Sequence, residues 1–155
     1  MTGTEMATEE SLDAFIQGFE DCSYPASQWT HEAHVVMASA YLTALPLPAA
    51  AARIRERIPA YNLAQGGQNT DTSGYHETLT VFWIRIIHAW LADLPPSLSR
   101  LERVRAAAAR FGQERKLHEG YWSFDVVKSI EARRAWIEPD LKPLASAPAE
   151  SGTGR

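Results

Sequence analysis

Three of the five histidines in this chain fall in two short clusters, His31 and His34 in WTHEAH and His76 in GYHET. In each cluster a glutamate directly follows a histidine, Glu32 in the first and Glu77 in the second. On a helix, residues three apart are neighbours on one face, so His31 and His34 address the same spot. They continue at helical spacing into Ala38, Tyr41 and Leu45, which turns that face toward a core. His76 leads in the same way into Leu79, Trp83 and Trp90. Three converging neutral imidazoles are a ligand set for one transition-metal ion, with iron or copper favoured and zinc the alternative. Glu77 is the anionic companion: a fourth ligand, an acceptor for an imidazole N–H, or a general base acting on a metal-bound water. Taken singly, each histidine reads more readily as a hydrogen-bonded core residue than as a ligand, and HxxH has no spacing unique to one chemistry.

Convergence depends on the elements that carry the clusters. Apolar residues at spacings of three and four, Leu12, Phe15, Ile16 and Phe19, predict a first helix over Glu9 to Cys22. Thr30 is an N-cap for a second helix from His31 to about Leu45, stopped by Pro46 and Pro48. Pro48 suits the first turn of a third helix, rich in alanine and arginine, ending near Pro59 to Asn62. The stretch AQGGQNTDTSG, Ala64 to Gly74, is a loop longer than usual, of the kind that often serves function. A fourth helix, about Tyr75 to Leu94, is apolar nearly all round and is expected at the centre of the bundle. Ser97 or Ser99 caps a fifth helix running to Phe111, with Gly112 as its stop. One or two short helices are expected within Glu114 to Ile137, and WIEPDLKPL runs extended. The predicted class is therefore all-α, a four- to five-helix bundle with short C-terminal helices and an extended C-terminal segment.

In an up-down-up-down bundle the second and fourth helices run parallel, which brings His31, His34 and His76 to one end beneath the glycine-bearing loop. Tyr24, Trp29, Asn62, Asn69 and Tyr75 reach the same end and are the candidate substrate contacts. Gly66, Gly67 and Gly74 give the loop backbone freedom. Cys22 also lies near that end and reads as a small apolar residue. His88 and His118 default to structural or surface positions, and the Arg53, Arg55, Arg57 group to a solvated face.

At these positions the chain resembles a group of small uncharacterised bacterial helical proteins that share W-[TN]-H-x-A-H, then Y-N, N-T and G-Y-H-E-T, and finally W-[VI]-E-P-D-L-x-P-L. The matching residues are Trp29 to His31, Ala33 and His34, Tyr61 and Asn62, Asn69 and Thr70, Gly74 to Thr78, Phe82 and Trp83, Ala132 and Arg133, Trp136, and Glu138 to Leu144. The resemblance covers most of the domain. It implies that the His and Glu clusters belong to one recurring design, names no reaction, and draws attention to the Glu138–Leu144 segment.

Composition bounds what remains. The chain has 155 residues, 45% hydrophobic and 22% charged, with 15 Lys+Arg against 19 Asp+Glu. That is one domain, expected over 9–144, with disordered stretches at 1–8 and 145–155. A chain of this length buries roughly 70% of its unfolded surface, enough for a core without disulfides, and a single cysteine allows none internally. The polar, acidic start MTGTEMATEESLD carries no signal-peptide pattern, so a cytoplasmic location is expected. The longest apolar stretch, Leu79 to Leu91, is broken by Arg85 and His88 and falls short of the roughly 20 residues a bilayer span needs. A pI near 5.7 argues against a nucleic-acid binder. The partner expected is a small-molecule substrate, and the apolar fourth helix leaves room for a homodimer. The leading expectation is a metalloenzyme, with oxidoreductase chemistry slightly favoured over zinc-dependent hydrolysis in which Glu77 is the base. From a different class, the rival is a non-catalytic ligand-binding or interaction module whose buried histidines and Glu77 form a satisfied polar network.

Overall fold

The computed structural model describes residues 7–144, and within them every regular element is helical. Five long helices, α1 (Glu9–Glu20), α2 (His31–Ala44), α3 (Leu47–Ala64), α4 (Glu77–Ala92) and α5 (Arg100–Phe111), precede one short one, α6 (Ile130–Arg134). Single 3-10 turns at Ala26–Gln28, Leu117–Gly120 and Val126–Lys128 occupy the connections. The protein is an all-α bundle, and none of the described helices is long and apolar enough to cross a membrane.

Side-chain caps set most helix starts. The Thr30 hydroxyl accepts from the Ala33 amide at 3.2 Å. Ser99 and Glu102 exchange bonds across the first turn of α5 at 3.1 and 2.8 Å, satisfying two of the amides a helix start leaves unpaired. Gly112 closes α5. A Cβ there would come within 2.5 Å of the Ala108 carbonyl and 2.9 Å of Glu32 Cγ, so glycine lets α2 and α5 approach. Thr8, expected in the disordered 1–8 stretch, instead caps α1 through a reciprocal bond with Ser11. Residues 1–6 and the expected tail at 145–155 lie outside the described residues.

Several boundaries differ from the sequence reading. Helix α1 ends at Glu20 and not at Cys22, and α3 continues through Pro59 and past Asn62 to Ala64. Proline removes one backbone bond, but Ile54, Ile58 and Tyr61 on this helix are all buried, and the Tyr61 hydroxyl donates to the Tyr24 carbonyl. Tertiary packing therefore outweighs the local break. Helix α4 begins at Glu77, so Tyr75 lies before it and His76 is its N-cap.

Nor is α4 the element buried all round. That place belongs to α2, whose residues Val35 to Tyr41 are buried without interruption. Ala33, Ala38, Ser39 and Ala40 keep its girth small enough for α1, α3, α4 and α5 all to pack on it, whereas Trp83, Arg85, His88 and Trp90 of α4 are partly exposed. Between α1, α2 and α3 an aromatic cluster fills the core, with Phe19 stacked on Trp29 at 4.9 Å and Tyr61 5.5 Å from Phe19. Cys22, just beyond α1, has φ 65°, the left-handed conformation common after a helix end. Its carbonyl accepts from Gln65 at 2.7 Å and ties the ends of α1 and α3 together.

The C-terminal region wraps the start of α4. The Thr78 hydroxyl donates to the Ala135 carbonyl at 2.8 Å and accepts from the Ile137 amide at 3.1 Å. Arg133 donates to the carbonyls of Gly74 and Tyr75 at 2.8 and 3.3 Å. The Glu138–Leu144 segment, expected to be extended, bends at residues 140–142 and is bonded in place, with the Ser123 amide donating to Asp140 at 2.9 Å and the Leu141 amide to the Tyr121 carbonyl at 2.9 Å.

Candidate functional site

The helix N-termini bearing the two histidine clusters meet at one cavity of about 460 Å³, which His31, His34 and His76 all line. Trp29, Asn62 and Tyr75 line it too. Its remaining wall is mainly aliphatic, from Val35, Met37 and Ala38 of α2, Ile54 and Ile58 of α3, and Leu79, Ile84 and Ile87 of α4, with Trp83 beside His31 at 4.8 Å. Among the described residues no Asp or Glu contributes to the lining. The volume lies within the range of small-molecule sites.

Hydrogen bonds assign each ring a tautomer. His76 Nδ1 accepts from the Leu79 amide at 3.1 Å, so the ring proton sits on Nε2, which donates to the Val126 carbonyl at 2.9 Å. Both nitrogens are thereby occupied. His34 Nδ1 donates to the Thr30 carbonyl at 2.8 Å, which leaves the Nε2 lone pair unused. His31 Nε2 donates to the Phe111 carbonyl at 3.1 Å, which leaves the lone pair on Nδ1. Burial pushes His34 down to about 4, against the bond to Thr30. The same desolvation lowers His31 and His76, with Arg115 adding to the effect on His31 and Arg133 on His76. All three rings are neutral at physiological pH and act as acceptors only where a nitrogen remains unprotonated.

This inventory bears on the expected metal centre. A ligating imidazole must offer a lone pair. His76 offers none unless the α4 cap breaks. Among the described residues no three His, Cys, Asp or Glu side chains stand together as a metal-holding group. Glu77 is absent from the cavity lining. It accepts from the Tyr75 hydroxyl at 2.6 Å and pairs with Arg55 at 2.7 Å, an arrangement that positions Tyr75 and leaves the carboxylate no contact with the cavity contents. Burial, and then that bond, push the Tyr75 phenol up.

The other two candidate contacts stand behind the wall. Tyr24 is buried edge-on against Phe15 at 4.9 Å. Asn69 organises the loop: its side chain accepts from the Asn62 amide group and the Tyr75 backbone amide and donates to the Pro59 carbonyl, each at 3.0 Å. Gly74 has φ +81°, and a Cβ there would collide with the Gln68 carbonyl and come within 2.7 Å of Asn69 Oδ1. Only glycine allows Tyr75 and His76 to turn inward at this point.

Two cavity residues escaped the sequence reading, Arg115 and His118. Both lie between Gly112 and Trp122, where no hydrophobic period marks an inward face. The His118 ring is 8% exposed, and burial lowers its proton affinity while Glu119 and Asp125 oppose the shift. Its Nδ1 and the Nε1 of Trp29 are buried without a hydrogen-bond partner. The Arg115 backbone carbonyl also opposes the shift at His118.

No family model, curated protein or solved structure matches the chain.

Proposed function

We propose that the protein binds a small, largely apolar molecule in the histidine-lined cavity, and that neutral imidazoles meet the polar group of that molecule. One observation carries the reading: in a mainly aliphatic lining, His31 and His34 are neutral, and each keeps one ring nitrogen, Nδ1 and Nε2 respectively, beyond its backbone hydrogen bond. A lone pair left over on a neutral imidazole accepts one hydrogen bond from a ligand donor. The aliphatic wall supplies affinity through desolvation, and the polar atoms supply orientation.

A test follows from the position of Trp29 and Trp83. Ring-bearing fragments of about 8–15 non-hydrogen atoms, screened by ligand-detected NMR and by tryptophan fluorescence, should yield binders. Ala38→Leu, or separately Leu79→Phe, fills the cavity and should abolish their binding while the protein stays folded. Binders that are indifferent to both substitutions would overturn the reading.

The metalloenzyme anticipated from the sequence remains the second reading, because the three imidazoles do share one cavity. It requires His76 to release Leu79 and Val126, with Glu77 leaving Arg55. Elemental analysis of untagged protein separates the two: near-stoichiometric iron, copper or zinc that is lost in His31→Ala favours the metal, and metal-free protein that binds fragments favours the pocket.

A further inference from the structure

Accepting the cavity as a ligand site, we propose that its ligand carries one carboxylate, bound at the end where Arg115, His118 and His31 come together, on an apolar body that fills the aliphatic remainder. Charge gives the first argument. Arg115, itself an exposed residue, contributes to a lining in which no carboxylate stands among the described residues. The other guanidinium close to the cavity histidines, that of Arg133, is spent on the carbonyls of Gly74, Tyr75 and Val127. Arg55 is likewise committed to Glu77.

Clustering gives the second. Arg115 and His118 both act electrostatically on His31, and His118 acts on His76 as well, so this end of the cavity gathers one fixed cation and three ionisable rings. The charges opposing it are Glu32 near His31 and Glu119 and Asp125 near His118, none of which lines the cavity. His118, itself buried, lines the same cavity.

Geometry of the ligand's head gives the third. One guanidinium offers a planar fork that matches a carboxylate. A phosphate, more highly charged and more strongly hydrated, would need several donors, and the rest of the wall is aliphatic. About 460 Å³ accommodates an aryl or short alkyl acid.

The experiment compares 3-phenylpropanoate, 3-phenylpropanamide and 3-phenylpropanol by titration calorimetry on the full chain at low and high salt. The acid should bind about ten-fold more tightly than the amide or the alcohol, the scale of one charge-assisted hydrogen bond, and salt should narrow the margin. Arg115→Gln should reduce the acid to the affinity of the amide without changing the amide, and Arg115→Lys should restore part of the difference. Equal binding of acid and amide to the unaltered protein would overturn the carboxylate assignment and leave the pocket standing, as would an acid preference that survives Arg115→Gln. Binding of none of the three at millimolar concentration, together with no fragment binder, would overturn the pocket and the assignment with it.

Discussion

Acidification should destabilise this protein well above the pH at which its carboxylates titrate, with His34 contributing most. The ring is neutral at pH 7 in the folded and the unfolded chain alike. Below its ordinary value of 6.5 the unfolded chain takes up a proton there, whereas the folded chain resists until about 4, because burial disfavours the imidazolium. Stability is therefore intact above pH 6.5 and falls as pH drops through that window. Each tenfold change in proton affinity is worth about 1.4 kcal/mol, so the full cost at His34 is about 3 kcal/mol, of which about 2.5 is incurred between pH 7.5 and 4.5. These are upper figures, since His34 is partly open to the cavity. The downward shifts at His31, His76 and His118 act in the same direction. Against a typical total of about 5–15 kcal/mol the loss is large. Urea unfolding at the two pH values measures it, and a titration of the imidazole Cε1–H resonances assigns it. His34→Asn keeps a donor for the Thr30 carbonyl and removes the titration, so it should flatten the profile. The reasoning is refuted if His34 titrates near 6.5, or if His34→Asn loses as much stability between pH 7.5 and 4.5 as the unaltered protein.

Other substitutions test particular contacts. Gly74→Ala meets both a left-handed backbone and the Gln68 carbonyl, and should cost more than about 2 kcal/mol in urea unfolding. Asn69→Ala removes three hydrogen bonds at once, and should cost about 2–3 kcal/mol and speed amide exchange at Tyr75. His76→Ala loses the α4 cap and leaves the Val126 carbonyl unpaired, for about 2–3 kcal/mol, whereas His76→Asn should recover the part due to the cap. Phe19→Ala empties the centre of the aromatic cluster and should lower stability by about 3–5 kcal/mol.

Features that depend on local chemistry were legible in the sequence. Thr30, Ser99 and Gly112 mark helix ends because capping is decided within a turn, and the His31, His34 and His76 clusters converge because helical spacing and short connections leave few other arrangements. Trp29, Asn62 and Tyr75 reach the cavity as expected. What failed to show depends on partners distant in the chain. Pro59 looks like a stop until the burial of Ile58 and Tyr61 is known, and Tyr24 and Asn69 turn out to support the wall from behind. Glu77 stands in the sequence as a candidate ligand or base, and its pairing with Arg55, 22 residues earlier, shows only in the fold. Small side chains gave α2 its central place, and small side chains carry little hydrophobic signal. Arg115 and His118 sit in a stretch without periodicity, so only the folded chain brings them to His31.

The start of α4 depends on residues made long after it. His76, Thr78 and the carbonyls of Gly74 and Tyr75 find their partners at Val126, Arg133, Ala135 and Ile137 through five hydrogen bonds. During synthesis on the ribosome, α1 to α5 can collapse while this corner still lacks its outer half. Helices α1 to α5 alone would thus leave the His76 Nε2 donor, the Thr78 hydroxyl and the carbonyls of Gly74 and Tyr75 without these partners, and the segment 126–137 completes the corner.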